Sequence, residues 1–244
     1  MWKKIAGMLA AGAMVALVTV SAAAARGSAT TSARTAAPCT TLDPSLFASV
    51  IDNPYYPLPV GRTLVYKGVK DGQTQVDRVK VTDQTKVIGG VTATVIKDVA
   101  RHGSTLLEQT TDWYAQDVAG NVCYLGEDTK HFNPNGSVDT SGSWEAGVNG
   151  AISGIIMEAH PQIPDAYRQE YLAGEAQDTA WITNVTGSFT VPYGTVHNVL
   201  TSLETTVLEP TVVDQKIYAP GVGIVLEQAI AGDTEIAKLV SVTG

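Results

Sequence analysis

The apolar positions of this chain alternate with polar ones far more often than they recur at helical spacing. Leu64 and Tyr66 alternate within residues 62–68, Val79 and Val81 close the run 76–81, and residues 91–99 are dense in β-branched side chains. Runs of this kind fit strands with one face against a core. Turn chemistry separates them at Lys70-Asp71-Gly72, Gly89-Gly90, His102-Gly103 and Ala119-Gly120-Asn121. Further strands are expected over 180–185, 188–191, 196–207, 212–218 and 224–230, with a closing strand over 234–242. One helical signal interrupts the pattern: Asp43 is a good N-cap, Pro44 suits the first turn, and residues 45–51 complete a short helix before Asn53-Pro54 stops it. Roughly ten or more antiparallel strands must curl into a barrel, a half-barrel or two stacked sheets, because long exposed edges invite pairing with other chains.

The pattern also repeats. Gly90 is followed by Val95-Ile96 and then by Tyr114-Ala115; Gly194 is followed by Val199-Leu200 and then by Tyr218-Ala219, each at an offset of 104 residues. Pro59 and Tyr66 face Pro164 and Tyr171 at an offset of 105. A shared spacing of this length points to duplication. The expected architecture is therefore mainly β: an antiparallel β-barrel or half-barrel built from two duplicated β-meanders, with one short N-terminal helix. Repeat 1 covers about 59–125, an insertion about 126–163, and repeat 2 about 164–226. The insertion is rich in turn residues (Asn133-Pro134-Asn135-Gly136, Gly142, Gly147, Asn149-Gly150), with one hairpin expected around Asn135-Gly136. Having no counterpart in the other half, it is where function is expected to sit.

The N-terminal pattern is of a different kind. Lys3 and Lys4 precede an apolar run over residues 5–20 and the small-residue stretch Ser21-Ala22-Ala23-Ala24-Ala25, the three parts of a cleavable signal peptide over residues 1–25. That run is shorter and more glycine-broken than a membrane anchor, so no transmembrane segment is expected in the mature chain. Residues 26–41 read as a flexible leader and residues 42–244 as a single β domain. The expected location is secreted or periplasmic. Removing residues 1–25 takes the formal charge from −8 to −10, which disfavours nucleic acid as a partner. Two cysteines, Cys39 and Cys123, meet an oxidising compartment; one reading is a bridge that pins the leader to the body, the other is two separate thiols.

Chemistry-bearing residues are sparse. His102, His131, His160 and His197 lack zinc spacing, and no calcium loop, nucleophile elbow or complete dinucleotide loop occurs, so no metal and no cofactor is expected. Pro220-Gly221 reads instead as a type II turn. Carboxylates near tryptophans are the stronger lead. Glu127, Asp128, Glu145 and Glu170, with Trp113 and Trp144 nearby, supply the residue types of a glycosidase, in which one acid is protonated and the other ionised. Solvated turn carboxylates are the plainer reading of the same residues. Trp113, Trp144, Tyr167 and Arg168 are the ligand-binding candidates.

At Trp113-Tyr114-Ala115-Gln116-Asp117, Gly120-Asn121-Val122, Gly126-Glu127-Asp128-Thr129, Gly142-Ser143-Trp144-Glu145-Ala146-Gly147 and Tyr167-Arg168-Gln169-Glu170-Tyr171 the chain resembles a group of exported, uncharacterised bacterial proteins. Val191-Pro192-Tyr193-Gly194 and Tyr218-Ala219-Pro220-Gly221-Val222-Gly223 are similar to segments of exported proteins of lipoprotein-carrier-like shape. That second resemblance implies a curved antiparallel sheet around an apolar cavity and carries over no catalytic residue. Two functional readings follow. One is a non-enzymatic envelope or secreted protein that binds a lipid, another apolar molecule or a glycan on the concave face of the sheet. The other is a secreted carbohydrate-active hydrolase that uses two of the four carboxylates.

Overall fold

The computed structural model describes residues 38–70 and 72–244. The expected signal peptide, and the leader as far as residue 37, lie outside the described residues. No helix among the described residues is long and apolar enough to cross a membrane.

The alternating runs fold as strands: β1 (Thr63–Lys70), β2 (Gln73–Ile88), β3 (Val91–His102), β4 (Thr105–Gln116) and β5 (Val122–Phe132) form a continuous antiparallel meander. The segment expected as an insertion supplies β6 (Val138–Asp139), β7 (Trp144–Glu145) and β8 (Ile152–Met157). Next come β9 (Ala166–Arg168), β10 (Glu170–Tyr171), β11 (Asp178–Asn184), β12 (Ser188–Val191) and β13 (Gly194–His197). The chain ends with β14 (Leu200–Thr206), β15 (Val213–Ala219), β16 (Gly223–Ala231) and β17 (Ile236–Thr243). The main sheet runs in the order β10-β8-β5-β4-β3-β2-β1-β17-β16-β15-β14-β11-β9, while β12 and β13 form a separate hairpin.

Its two edge strands, β9 and β10, are separated in sequence only by Gln169. One short stretch of chain thus pairs with β11 through its first half and with β8 through its second, and the sheet is nearly closed into a barrel. Gln169 N donates to Asp178 O at this seam. Gly154 on β8 is what lets the stretch approach, since a Cβ there would sit 2.3 Å from Arg168 O and 2.6 Å from the Gln169 carbonyl carbon.

The N-terminal helix is shorter than the sequence suggests. Asp43 caps as expected, accepting from Ser45 N at 2.9 Å, but only a 3-10 turn over Pro44–Leu46 follows, with a four-residue helix, α1 (Pro38–Thr41), before it. Tertiary pairing overrides helix propensity here: Phe47 bridges Asp117, Ala48 N donates to Gln116 O, and Val118 N donates to Leu46 O. The strand expected over 196–207 is likewise broken, because Asn198 takes the left-handed conformation (φ 54°) between β13 and β14. Pro220-Gly221 forms the expected turn, closed by Val222 N donating to Ala219 O, with Gly221 at φ 74°. The two halves differ in register by two residues: Ile96 faces Asp112 across β3 and β4, whereas Leu200, 104 residues on, faces Tyr218 across β14 and β15.

Cys39 and Cys123 are joined by a disulfide across a sequence separation of 84. It fixes α1 against β5, and Ser153 Oγ on β8 donates to the Cys39 carbonyl. Beyond this anchor, residues 51–62 lie across one end of the barrel. Gln116 Oε1 accepts from Asp52 N and Asn53 N, Gly221 N donates to Pro54 O, and Arg62 Nη1 donates to the carbonyls of Gly221 and Val222.

Two measurements check this account. Replacing Gly154 by alanine is expected to lower unfolding stability by roughly 1–3 kcal/mol through overpacking at the seam. An unchanged urea midpoint would show that the seam tolerates a side chain. Replacing both cysteines by serine is expected to lose roughly 2–4 kcal/mol, and dithiothreitol should reproduce that loss in the parent protein but not in the variant.

Candidate functional site

The barrel interior is layered along its axis. Nearest the end crossed by residues 51–62 lies an aromatic layer: Tyr56 is 5.4 Å from Tyr114 and 6.5 Å from Tyr218, Tyr114 stacks on Tyr124 at 4.7 Å, and Trp144 meets Tyr124 edge-on at 5.3 Å. Deeper along the strands the inward positions turn polar. Cross-strand neighbours on β2 to β5 line up in three rungs: Asp77-Ala100-Glu108-His131, Val79-Asp98-Thr110-Thr129 and Val81-Ile96-Asp112-Glu127. All of these residues except Val79 are buried. Across the barrel a further rung joins Ser202, Lys216, Glu227, Ala237, Gly68 and Gln75.

Burying carboxylates is costly unless hydrogen bonds or charges accompany them. His131 Nδ1 lies 3.0 Å from Glu108, and Tyr124 donates to Asp112 at 2.7 Å. Lys216 Nζ, almost wholly buried, lies 2.6 Å from Glu204 and 3.6 Å from Glu227. Ser202 and the Tyr218 hydroxyl also donate to Glu204. Burial alone would depress the Lys216 ammonium, but Glu204 and then Glu227 overcome it and hold the group well above its ordinary value. Burial pushes Glu227 upward, with Lys216 opposing, and pushes the Tyr56 phenol up to about 12.

A pocket opens at the end crossed by residues 51–62. Its walls are Tyr56, Pro57, Leu58, Leu64, Tyr66, Val79, Val222, Gly223, Ile224 and Ala237, and Asp77 and Glu227 complete the lining. Following the register from Leu64 to Tyr66 on β1, and from Val79 to Asp77 on β2, leads inward along the barrel, so the two acids lie at its deep side. The space is narrow, with about 60 Å³ of room for a water-sized sphere within about 590 Å³ that includes the open mouth. It suits a single chain or ring rather than a bulky ligand.

The four candidate carboxylates separate into two groups. Glu127 and Glu170 are buried in the interior at 1% and 2% exposure, where Trp144 Nε1 donates to Glu170 at 2.8 Å. Both raise the already burial-shifted pKa of Tyr124, after Asp112. Asp128 and Glu145 are half-buried elsewhere, held by Lys130 at 2.7 Å and Lys86 at 2.6 Å. Lys86 also sits 3.3 Å from the ring centre of Trp113. Tyr167 faces Ala180 across the seam, and burial raises its phenol, with Glu204 adding to the effect. Arg168 is exposed and lies over the Tyr171 ring at 4.8 Å. None of these candidates lines the pocket.

Among the described residues, Cys39, Asp117 and Cys123 cluster as metal ligands would, but the disulfide consumes both thiols. The residues missed by sequence reasoning are Asp77, Glu204, Lys216 and Glu227. Their one signal is position: each shares the inward parity of an apolar neighbour, Asp77 with Val79 and Lys216 with Tyr218.

Glu227 gives a test of the buried charge. A carboxyl raised above its ordinary 4.5 holds its proton more tightly in the folded state. Its contribution to stability is full below that pH and is lost as pH rises through the folded value. Glu227→Gln should therefore gain stability relative to the parent protein as pH increases above 4.5, read from urea midpoints across the range. A constant difference between the two proteins would contradict the shift.

No protein-family model matches the chain, and no curated relative matches it. Among solved structures, the chain is similar to the crystal structure of a "putative lipoprotein" from Parabacteroides distasonis ATCC 8503, at 14% identity and a TM-score of 0.44, over 78% of this chain and 99% of that one.

Proposed function

We propose that this chain is an exported, non-enzymatic protein that binds a slender apolar group, an alkyl chain or a single ring, in the pocket at the barrel end. The observation that carries the reading is the pocket lining itself: Leu58, Leu64, Val79, Val222, Ile224 and Ala237 present aliphatic carbon to a space open to solvent. Open apolar space of this kind is stabilised when a ligand removes it from water. A glycan needs several convergent hydrogen-bonding groups, and these walls offer few. The acids considered for hydrolysis either lie in the interior away from the pocket or are held by lysines, which favours binding over catalysis. Export is supported by the charged, apolar and small-residue order of residues 1–25 and by the disulfide, a bond that persists in oxidising compartments.

Native mass spectrometry of protein purified without detergent, followed by titration with octyl-chain probes, tests this reading. A bound mass or a bound octyl probe is expected in the parent protein. Leu58→Trp and Val222→Trp, two substitutions at the half-buried mouth, should weaken binding about tenfold or more, equivalent to about 1.4 kcal/mol. The reading fails if the parent protein retains neither a co-purified mass nor an octyl probe of any charge, or if both tryptophan variants bind as the parent does.

A further inference from the structure

The chemistry at the deep side of the pocket narrows the ligand class. We propose that the group bound there is a cationic amphiphile, an alkyl or aryl amine whose ammonium sits beside Asp77 and Glu227 while its carbon chain runs along Leu64, Val79 and Val222. This inference rests on the preceding reading of the pocket as a binding site.

Charge complementarity carries it. The lining contains two carboxylates and no lysine, arginine or histidine. Asp77 is 2% exposed, and the Glu227 side chain retains 15% exposure, so the second acid remains reachable from the pocket. Lys216 does not cancel this field. It lies an ångström closer to Glu204 (2.6 Å) than to Glu227 (3.6 Å), and the three groups together keep a net negative formal charge.

The other polar features of the lining point the same way. Tyr56 and Tyr66 bring aromatic rings to the pocket, and ring faces attract cations. The Tyr66 hydroxyl donates to Ile224 O at 2.9 Å, so its proton is committed to the backbone rather than offered to an anionic headgroup. A fatty carboxylate or alkyl phosphate entering by the same mouth would set its negative charge beside two acidic side chains in a poorly solvated space. An alcohol would gain the apolar contacts without the ion pair. An ammonium gains both.

The experiment compares octylamine, 1-octanol and octanoate with the full mature chain at neutral pH by isothermal titration calorimetry, all below their aggregation concentrations. Octylamine is expected to bind about tenfold or more tightly than octanol, with octanoate weakest. The preference for amine over alcohol should shrink in Glu227→Gln and vanish in the Asp77→Asn, Glu227→Gln double variant. The single variant keeps the test open if the double variant does not fold. Octanol or octanoate binding the parent protein as tightly as octylamine overturns this inference and leaves the pocket reading standing. So does an amine preference undiminished in Glu227→Gln. Failure of all three probes overturns this inference, and together with the absence of any co-purified mass it overturns the pocket reading as well.

Discussion

A long antiparallel meander has two edges, and each exposes a row of unpaired backbone groups. This chain satisfies both edges with one stretch. Residues 166–171 pair with β11 and then with β8, so the last strands of the two arms meet through a single intervening residue, Gln169. Everything else in the architecture depends on that junction. Without it the sheet is an open curve, and the inward faces of β2 to β5 and β14 to β16 lie against solvent. With it they become an interior. Gly154 matters out of proportion to its size for this reason: the seam runs where only a hydrogen atom fits.

Closure then sets the electrostatic problem. Inward positions carrying Asp77, Asp98, Glu108, Asp112, Glu127, Glu170 and Glu204 would be ordinary solvated carboxylates on an open sheet, but they are buried here. The fold answers with a few strong partners, of which Lys216 between Glu204 and Glu227 is the clearest. A buried ion pair of this kind is weak evidence for stability, because desolvation offsets most of the attraction. Well-packed apolar residues in place of such a pair are often no less stable. The buried acids therefore set the electrostatics of the interior more than they stabilise it, and at Asp77 and Glu227 that interior borders the pocket.

Much of the strand pattern was readable from local chemistry. Alternation marked β1 to β3 and most of the later strands, and turn residues such as Pro220-Gly221 and the Asp43 cap acted as their chemistry dictates. The departures have tertiary causes. Residues 46–48 carry a helix signal but pair with the end of β4 and its following turn, and Asn198 breaks the strand expected over 196–207 by taking a positive φ. The site was harder to read, because polar residues alternate on both faces. In Gln75-Val76-Asp77-Arg78-Val79 nothing local says that Asp77 points inward and Arg78 outward; only the register with Ala100 and Tyr66 decides it. Glu127 and Asp128 are adjacent in sequence, yet strand parity sends one to the interior and the other to Lys130. The tryptophans divide in the same way: Trp144 donates to Glu170 inside, while Trp113 underlies Lys86.

The pocket finally depends on a segment that the sheet itself does not hold. Tyr56, Pro57 and Leu58 form one wall, and they belong to the stretch laid across the barrel end rather than to any strand. Three sets of contacts fix that stretch: the Gln116 side chain on Asp52 and Asn53, the Pro54 carbonyl on Gly221, and Arg62 on the carbonyls that follow. Its N-terminal side is anchored by the disulfide from Cys39 to Cys123. A crosslink closing so long a loop acts mainly by restricting the unfolded chain, but it also limits how far this wall can lift from the barrel mouth. The disulfide and the pocket wall are thereby connected through one short segment. Lifting Tyr56 to Leu58 from the barrel end would remove one wall of the pocket, and the bridge from Cys39 to Cys123 restrains the chain on the N-terminal side of that wall.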